Sequence, residues 1–292
     1  MTSPRARYLS LLLLLCTGNL RAAEPLAAAI ALVEARRYPE ARDLLEPMVA
    51  ADPKNAAAVH YLGRVIVARN DPTALEEGVK HLAAAVQLEP NRAGYQAAYG
   101  AAALQLAGRS NSLSYATKGR DALEKAVALD PKNLNAREGL FHFYQRAPWP
   151  IGSSAKAGAQ LDAIRQLSPD LATVLSVTTK VTAKDYTAAF TLCGDVLARD
   201  PANYTALYHY GRTASICGQN LEQGLVHLQT CLTLTPPTPA SPTHSHTWQR
   251  IGNLRERLQQ WDEARAAYET ALKIDPSNRQ ASDALAKLPA KS

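Results

Sequence analysis

The 292-residue chain is 47% hydrophobic and 20% charged, which argues against a disordered chain and leaves ample material for a packed core. Alanine and leucine dominate, glycine is scarce, and Val/Ile/Phe runs long enough for a buried sheet are absent, so the composition points to an all-α protein. The formal charge of +6 includes Arg5, Arg7 and Arg21, and without those three it falls to +3, too weak a positive balance to argue for nucleic-acid binding.

Residues 1–23 have the order of a secretory signal peptide: two arginines, the apolar run Tyr8 to Leu15 broken only by Ser10, then small residues at Cys16-Thr17-Gly18 and Ala22-Ala23. Cleavage after Gly18 or after Ala23 fits the pattern, and Ala23 fits better. The run is well short of the ~18 residues that a spanning helix needs. Leu15 stands directly before Cys16, where lipoprotein processing requires a small residue, which disfavours lipidation. The mature chain is therefore expected to be exported and soluble, and the leader with the alanine-rich composition points to a bacterial periplasm.

Downstream, amphipathic helices of two kinds alternate. One kind is Gly78 to Pro90, with Leu82 and Ala85 inward; it returns as Gly119 to Pro131, with Leu123 and Ala126, and more loosely from Gly224 through Leu228 and Cys231 to Pro236. In each, the proline cannot donate the next backbone hydrogen bond and stops the helix. The other kind carries a small residue beside bulky ones, at Tyr61-Leu62-Gly63-Arg64, Tyr99-Gly100 and Tyr210-Gly211-Arg212. A glycine inside a helix costs about 1 kcal/mol relative to alanine, so close approach of a partner helix is the expected return.

In chain order the pairs run over about 22–55, 56–92, 93–133, 134–169, 170–203, 204–238 and 245–278, followed by a closing helix at 279–288 with Ala281, Leu285 and Leu288 inward. Asn70-Asp71-Pro72 and Gly108 to Thr117 read as lengthened turns within their pairs. Ala147 to Ser154 reads as a loop exposing Trp149, and Pro237 to Thr247 as a proline-rich linker.

The last pair carries Trp248-x-x-Ile251-Gly252, Trp261-x-x-Ala264, Tyr268, Ala271 and Pro276. The first carries Tyr38-x-x-Ala41, Leu45, Met48 and Pro53, and the fifth Tyr186-x-x-Ala189, Cys193, Val196 and Pro201. These residues resemble the tetratricopeptide repeat family over nearly all of 24–277; Arg255 departs from it, standing where the family usually has tyrosine. The resemblance implies a right-handed superhelical solenoid of about seven helix pairs with a C-terminal capping helix. It also implies a concave groove lined by the first helix of each pair, and a scaffold that binds a protein or peptide there.

With the small residues as register marks, the groove candidates are His60 and Arg64, Tyr208 and Arg212, and Gln249 and Asn253. The first two pairs are spaced i, i+4 on one helix face, and arginine beside an aromatic or amide group suits a peptide carboxylate or carbonyl. The Lys-x-x-x-Asn and Lys-x-x-x-Arg clamp of some co-chaperones of the family is not reproduced, since Ala97 and Ala101 occupy the third repeat. The other candidate is Trp149, either an interface residue or a pin for its own loop.

No hydrolase, zincin, phosphate-loop or dinucleotide motif occurs, so no catalytic residue and no cofactor is expected. His244 and His246, placed in the linker, lack a third ligand nearby, and no metal site is expected. By the family register, Cys193 and Cys231 lie on second helices and Cys217 at the far pole from Cys231, which implies three free thiols. The competing readings are a self-assembling envelope component, against which the polar closing helix argues, and an enzyme whose site the sequence does not reveal.

Overall fold

The computed structural model describes residues 25–69, 71–148, 151–238 and 241–289; the leader 1–23 and Trp149 lie outside them. Every regular element among the described residues is an α-helix. After α1 (25–34) come α2 (Tyr38–Ala51), α3 (Ala56–Ala68), α4 (Pro72–Leu88), α5 (Ala93–Ser110), α6 (Leu113–Leu129), α7 (Leu134–Arg146) and α8 (Ser154–Leu167). Then follow α9 (Pro169–Thr182), α10 (Tyr186–Leu197), α11 (Tyr204–Cys217), α12 (Leu221–Leu232), α13 (His244–Arg257), α14 (Trp261–Ile274) and α15 (Arg279–Lys287). None is long and apolar enough to cross a membrane.

The junctions between pairs are written in a short phrase, Asp-Pro-x-Asn, that occurs at 52–55, 130–133, 200–203 and 275–278. The aspartate accepts from the backbone N–H two residues on: Lys54 to Asp52 at 3.0 Å, Lys132 to Asp130 at 3.0 Å, Ala202 to Asp200 at 3.3 Å, Ser277 to Asp275 at 2.9 Å. The asparagine then caps the next helix, as Asn55 does for Ala58 N–H at 3.1 Å and Asn203 for Ala206 N–H at 3.0 Å. One turn thus closes a second helix and opens a first one, satisfying backbone groups at both ends.

The chain divides into two compact units, one up to Ala163 and one from Ile164. In the first, consecutive helices from α2 to α7 pack against each other in turn, and the first helices also meet side by side, α3 with α5 and α5 with α7. Leu45, Leu62, Ile66, Leu75, Leu82, Leu123, Leu140 and Phe141 are among its buried residues. In the second, α9 to α15 pack in the same serial way, with α9 beside α11 and α11 beside α13. Leu207, Leu228, Ile251, Leu254 and Tyr268 are buried there. Because α11 has neighbours on both sides and behind, ten of its residues are buried.

Gly63 and Gly252 stand where partner helices cross. A Cβ on Gly63 would lie 2.9 Å from Leu82 Cγ, and one on Gly252 would lie 2.6 Å from Tyr268 Cδ1, so only a bare backbone fits. Cys193, Cys217 and Cys231 are free thiols, the first and last buried, and burial pushes both of those up to about 12.

Two sequence expectations need correction. Gly108 to Thr117 does not lengthen a turn: α5 continues to Ser110 and α6 starts at Leu113, capped by Ser112, so the extra residues lengthen both helices. His244 and His246 are not in the linker but in the first turn of α13. There His246 Nδ1 accepts from the Thr243 N–H at 3.3 Å, and His244 Nε2 lies 2.8 Å from the Leu234 carbonyl. Composition suggested a loop, but the capping box begins the helix.

Candidate functional site: the first-helix face

The side-by-side first helices of each unit hold most of its buried polar side chains; Asn278, which caps α15, is an exception. In the first unit the His60 ring stacks on Tyr95 with centroids 4.2 Å apart, Arg92 lies 4.9 Å over Tyr95, and Arg64 lies 5.2 Å over Tyr61. Arg64 also donates to Glu34 at 3.1 Å, and Arg92 to Glu89 at 3.0 Å, so both guanidiniums are neutralised. His60 is 5% exposed with no partner for its Nδ1; burial, then the charges of Arg64 and Arg92, lower its pKa to about 4. The Tyr95 hydroxyl in the same cluster is likewise buried without a partner.

In the second unit the two arginines of the face, Arg212 and Arg250, each have a buried N–H without a partner. His209 and Arg212 are three residues apart on α11, and Gln249, Arg250 and Asn253 come from the adjacent α13. Gln249, 2% exposed, donates to Asn253 Oδ1 at 3.2 Å. The Tyr268 hydroxyl, which has a single proton to give, lies 3.0 Å from Asn253 Oδ1 and 2.8 Å from Glu256 Oε2. That carboxylate and burial hold the Tyr268 pKa well above its ordinary value, burial being the larger cause.

Four groups of this face are buried without a hydrogen-bond partner: His209 Nδ1, Arg212 Nη1, Gln249 Oε1 and Arg250 Nε. Burial, then the neighbouring Arg250, lowers the Arg212 pKa, and no carboxylate opposes them. His209 is lowered to about 4 by burial and then by Arg212 and Arg250. Tyr208, by contrast, is buried in the apolar cluster of Phe190, Leu207, Leu225 and Leu228. The structure therefore brings Arg212, Gln249 and Asn253 together, and sets Tyr208 into the core beside them.

The sequence profile of the tetratricopeptide repeat family matches residues 245–278, which are α13, α14 and the Asp-Pro-x-Asn turn after them. Among solved structures, the chain is similar to a tetratricopeptide repeat protein from Parabacteroides merdae, with 11% identity, a TM-score of 0.59, and 91% of this chain and 97% of that one covered. Residues 245–278 form a tetratricopeptide repeat, and the chain has the fold of tetratricopeptide repeat proteins. It is also similar to yeast Tom70, with 18% identity and a TM-score of 0.64 over 86% of this chain; it spans half of that protein's length. At these identities the likeness is one of fold. Curated protein sequences give no match.

His209 and Arg250 of this face are not among the candidates chosen from the sequence. Both stand two residues before the register glycine, Gly211 and Gly252, while the chosen candidates stood three before or one after. At 3.6 residues per turn, positions two before and one after share a face. That rule would have paired His209 with Arg212 and Arg250 with Asn253.

Other features offer less. A recess of about 370 Å³ beside α9 and α10 is lined by Arg165, Asp170, Thr173, Asp195, Arg199 and Asn203, among others. Its charges are of both signs and Asn203 spans to Asp170 at 3.4 Å, so it balances itself. Among the described residues no three His, Cys, Asp or Glu side chains are grouped to hold a metal.

Proposed function

We propose that this protein is an exported, non-enzymatic scaffold that holds a protein or peptide segment along the first-helix face of its repeats. One observation carries the reading: among the described residues, six of the seven buried side-chain polar atoms without a hydrogen-bond partner lie on first helices, in both units, and only Arg265 Nε, on α14, does not. A stable core has no use for an orphaned donor, since each costs about 1–3 kcal/mol, whereas a ligand-binding face does. These groups form no nucleophile–base pair and no paired carboxylates, so they suit recognition rather than bond breaking. The leader pattern of residues 1–23 supports an extracytoplasmic site of action, in a bacterial periplasm.

Capture of partners by mature chain (residues 24–292), beside an Arg64→Ala/Arg212→Ala control of equal stability, tests the face. A partner is expected that the mature chain retains and the control loses by at least tenfold, confirmed with both proteins purified. If the control keeps every partner, the face is not where binding occurs. Export has its own readout: the N-terminus of the secreted product is expected at Glu24, or at Asn19 for the earlier cleavage. A product that keeps Met1 in the cytoplasmic fraction refutes export.

A further inference from the structure

We infer that the protruding end of the α5–α6 hairpin rests on an anionic phospholipid surface, with Leu113 entering the headgroup layer and Arg109, Lys118, Arg146 and Lys156 facing the lipid phosphates. This surface lies in the first unit, and the inference does not depend on the scaffold reading. The helices α3, α5 and α7 each start three residues after the proline of a junction turn, Pro53, Pro90 and Pro131, so their starts are in register. From there α5 runs for 18 residues, whereas α3 and α7 on either side of it run for 13. At 1.5 Å per residue the additional length carries the end of α5 about 7 Å past theirs. The turn at that end is tight, with Asn111 at φ 51° and Ser112 accepting from the Tyr115 N–H at 3.4 Å, so α6 starts at the tip with Leu113.

Leu113 is 64% exposed, the most exposed large apolar side chain among the described residues. The charge around it is of one sign. Residues 109–118 hold Arg109 and Lys118 and no acid; residues 146–161, the end of α7 and the start of α8, hold Arg146 and Lys156 and no acid. The Ser153 N–H donates to the Tyr144 carbonyl at 3.0 Å and keeps the start of α8 against the end of α7. Lys118 lies 5.7 Å over the Tyr115 ring and Lys156 5.1 Å over that of Tyr144, and among the described residues neither is in an ion pair. The acids nearest by on α6 are occupied, Asp121 by Arg120 at 2.6 Å and Glu124 by the Tyr144 hydroxyl. Beyond the leader the chain has a net charge of +3, which these four cations exceed. An acidic polypeptide would answer the charges, but a leucine side chain gains only from an apolar phase, which the acyl boundary beneath the headgroups provides. Each basic residue near an anionic bilayer strengthens binding by a factor of about five. One leucine and four cations therefore give a reversible, salt-sensitive attachment rather than an insertion.

Cosedimentation of the mature chain with lipid vesicles tests this. Binding is expected to vesicles of three parts phosphatidylcholine to one part phosphatidylglycerol and not to phosphatidylcholine alone, and it is expected to be lost as salt rises past about 0.5 M. Lys118→Gln/Arg146→Gln is expected to weaken binding at least tenfold and Leu113→Gln at least threefold, all at an unchanged melting temperature because the three side chains are exposed. The control Lys54→Gln/Lys132→Gln removes the same charge from two junction turns at the opposite ends of the helices, and it is expected to bind as the wild type does. Absence of binding to the phosphatidylglycerol vesicles overturns the inference. So does an equal loss in the two double variants, which would reduce the effect to net charge. Full binding by Leu113→Gln overturns it too, and capture of soluble polyglutamate by the same edge would then assign it to an acidic protein. Each of these failures leaves the scaffold reading standing, since that reading is tested at Arg64 and Arg212.

Discussion

His60 and His209 sit among arginines, buried and neutral, each with its pKa lowered to about 4. In the unfolded chain each would titrate near 6.5. Between these values the unfolded state takes up more protons than the folded one, so folding stability is complete above about pH 6.5 and falls as the pH drops toward 4. Each histidine contributes on the order of 2 kcal/mol to that loss. Thermal melts from pH 7 to pH 4.5 are expected to show the fall, and His209→Gln to reduce it; a flat profile would mean the rings are hydrated or paired. The other residues that matter at this scale are the asparagines of the Asp-Pro-x-Asn turns. Their capping role follows from residue type and place, since Asx residues at a helix start accept a backbone N–H. The face of His209 was legible by its spacing from Arg212, but its burial was not, because a lone histidine on an amphipathic helix gives no sign of what the next helix brings against it.

At several helix crossings a bare backbone position lets the partner helix in. Gly252 faces the ring of Tyr268, itself fully buried and bonded to Glu256. Gly252→Ala would raise the intrinsic helix propensity by about 1 kcal/mol and still destabilise the protein, because the methyl group collides with a ring that cannot withdraw. A net loss of about 1–3 kcal/mol in urea unfolding is expected. Gly158, whose Cβ would meet nothing within 4 Å, is the control, and Gly158→Ala is expected to be neutral or stabilising. Equal effects at the two positions would remove close approach as the reason for the glycine. Arg257 shows how a side chain can join neighbouring pairs: it donates to the Ser215 carbonyl at 2.7 Å and the Ile216 carbonyl at 2.8 Å, the last turn of α11. A cation at a helix C-terminus is favourable there, and it fixes α13 against α11 close to the arginine face.

At the scale of the molecule, the helical-repeat fold was legible because its signals recur: prolines end second helices, small residues mark crossings, and apolar spacing of three and four persists throughout. Where a signal occurs once, the reading failed. Proline-rich composition placed His244 and His246 in a linker, and only the geometry of Thr243 and His246 shows the helix already begun. Of the candidate face, Arg212, Gln249 and Asn253 stand at the chosen register positions, and His209 and Arg250 at the next position of the same face; that no acid pairs with the two arginines could not be read, since it depends on what the neighbouring helices bring. The proposed binding lies on the first helices of each unit, not on the second ones. Hydrogen exchange of the mature protein with and without its captured partner tests this most directly. The account predicts slowed exchange in α11 and α13 on binding, with α12 and α14 unchanged. Protection confined to α12 and α14, or none in either layer, would contradict it.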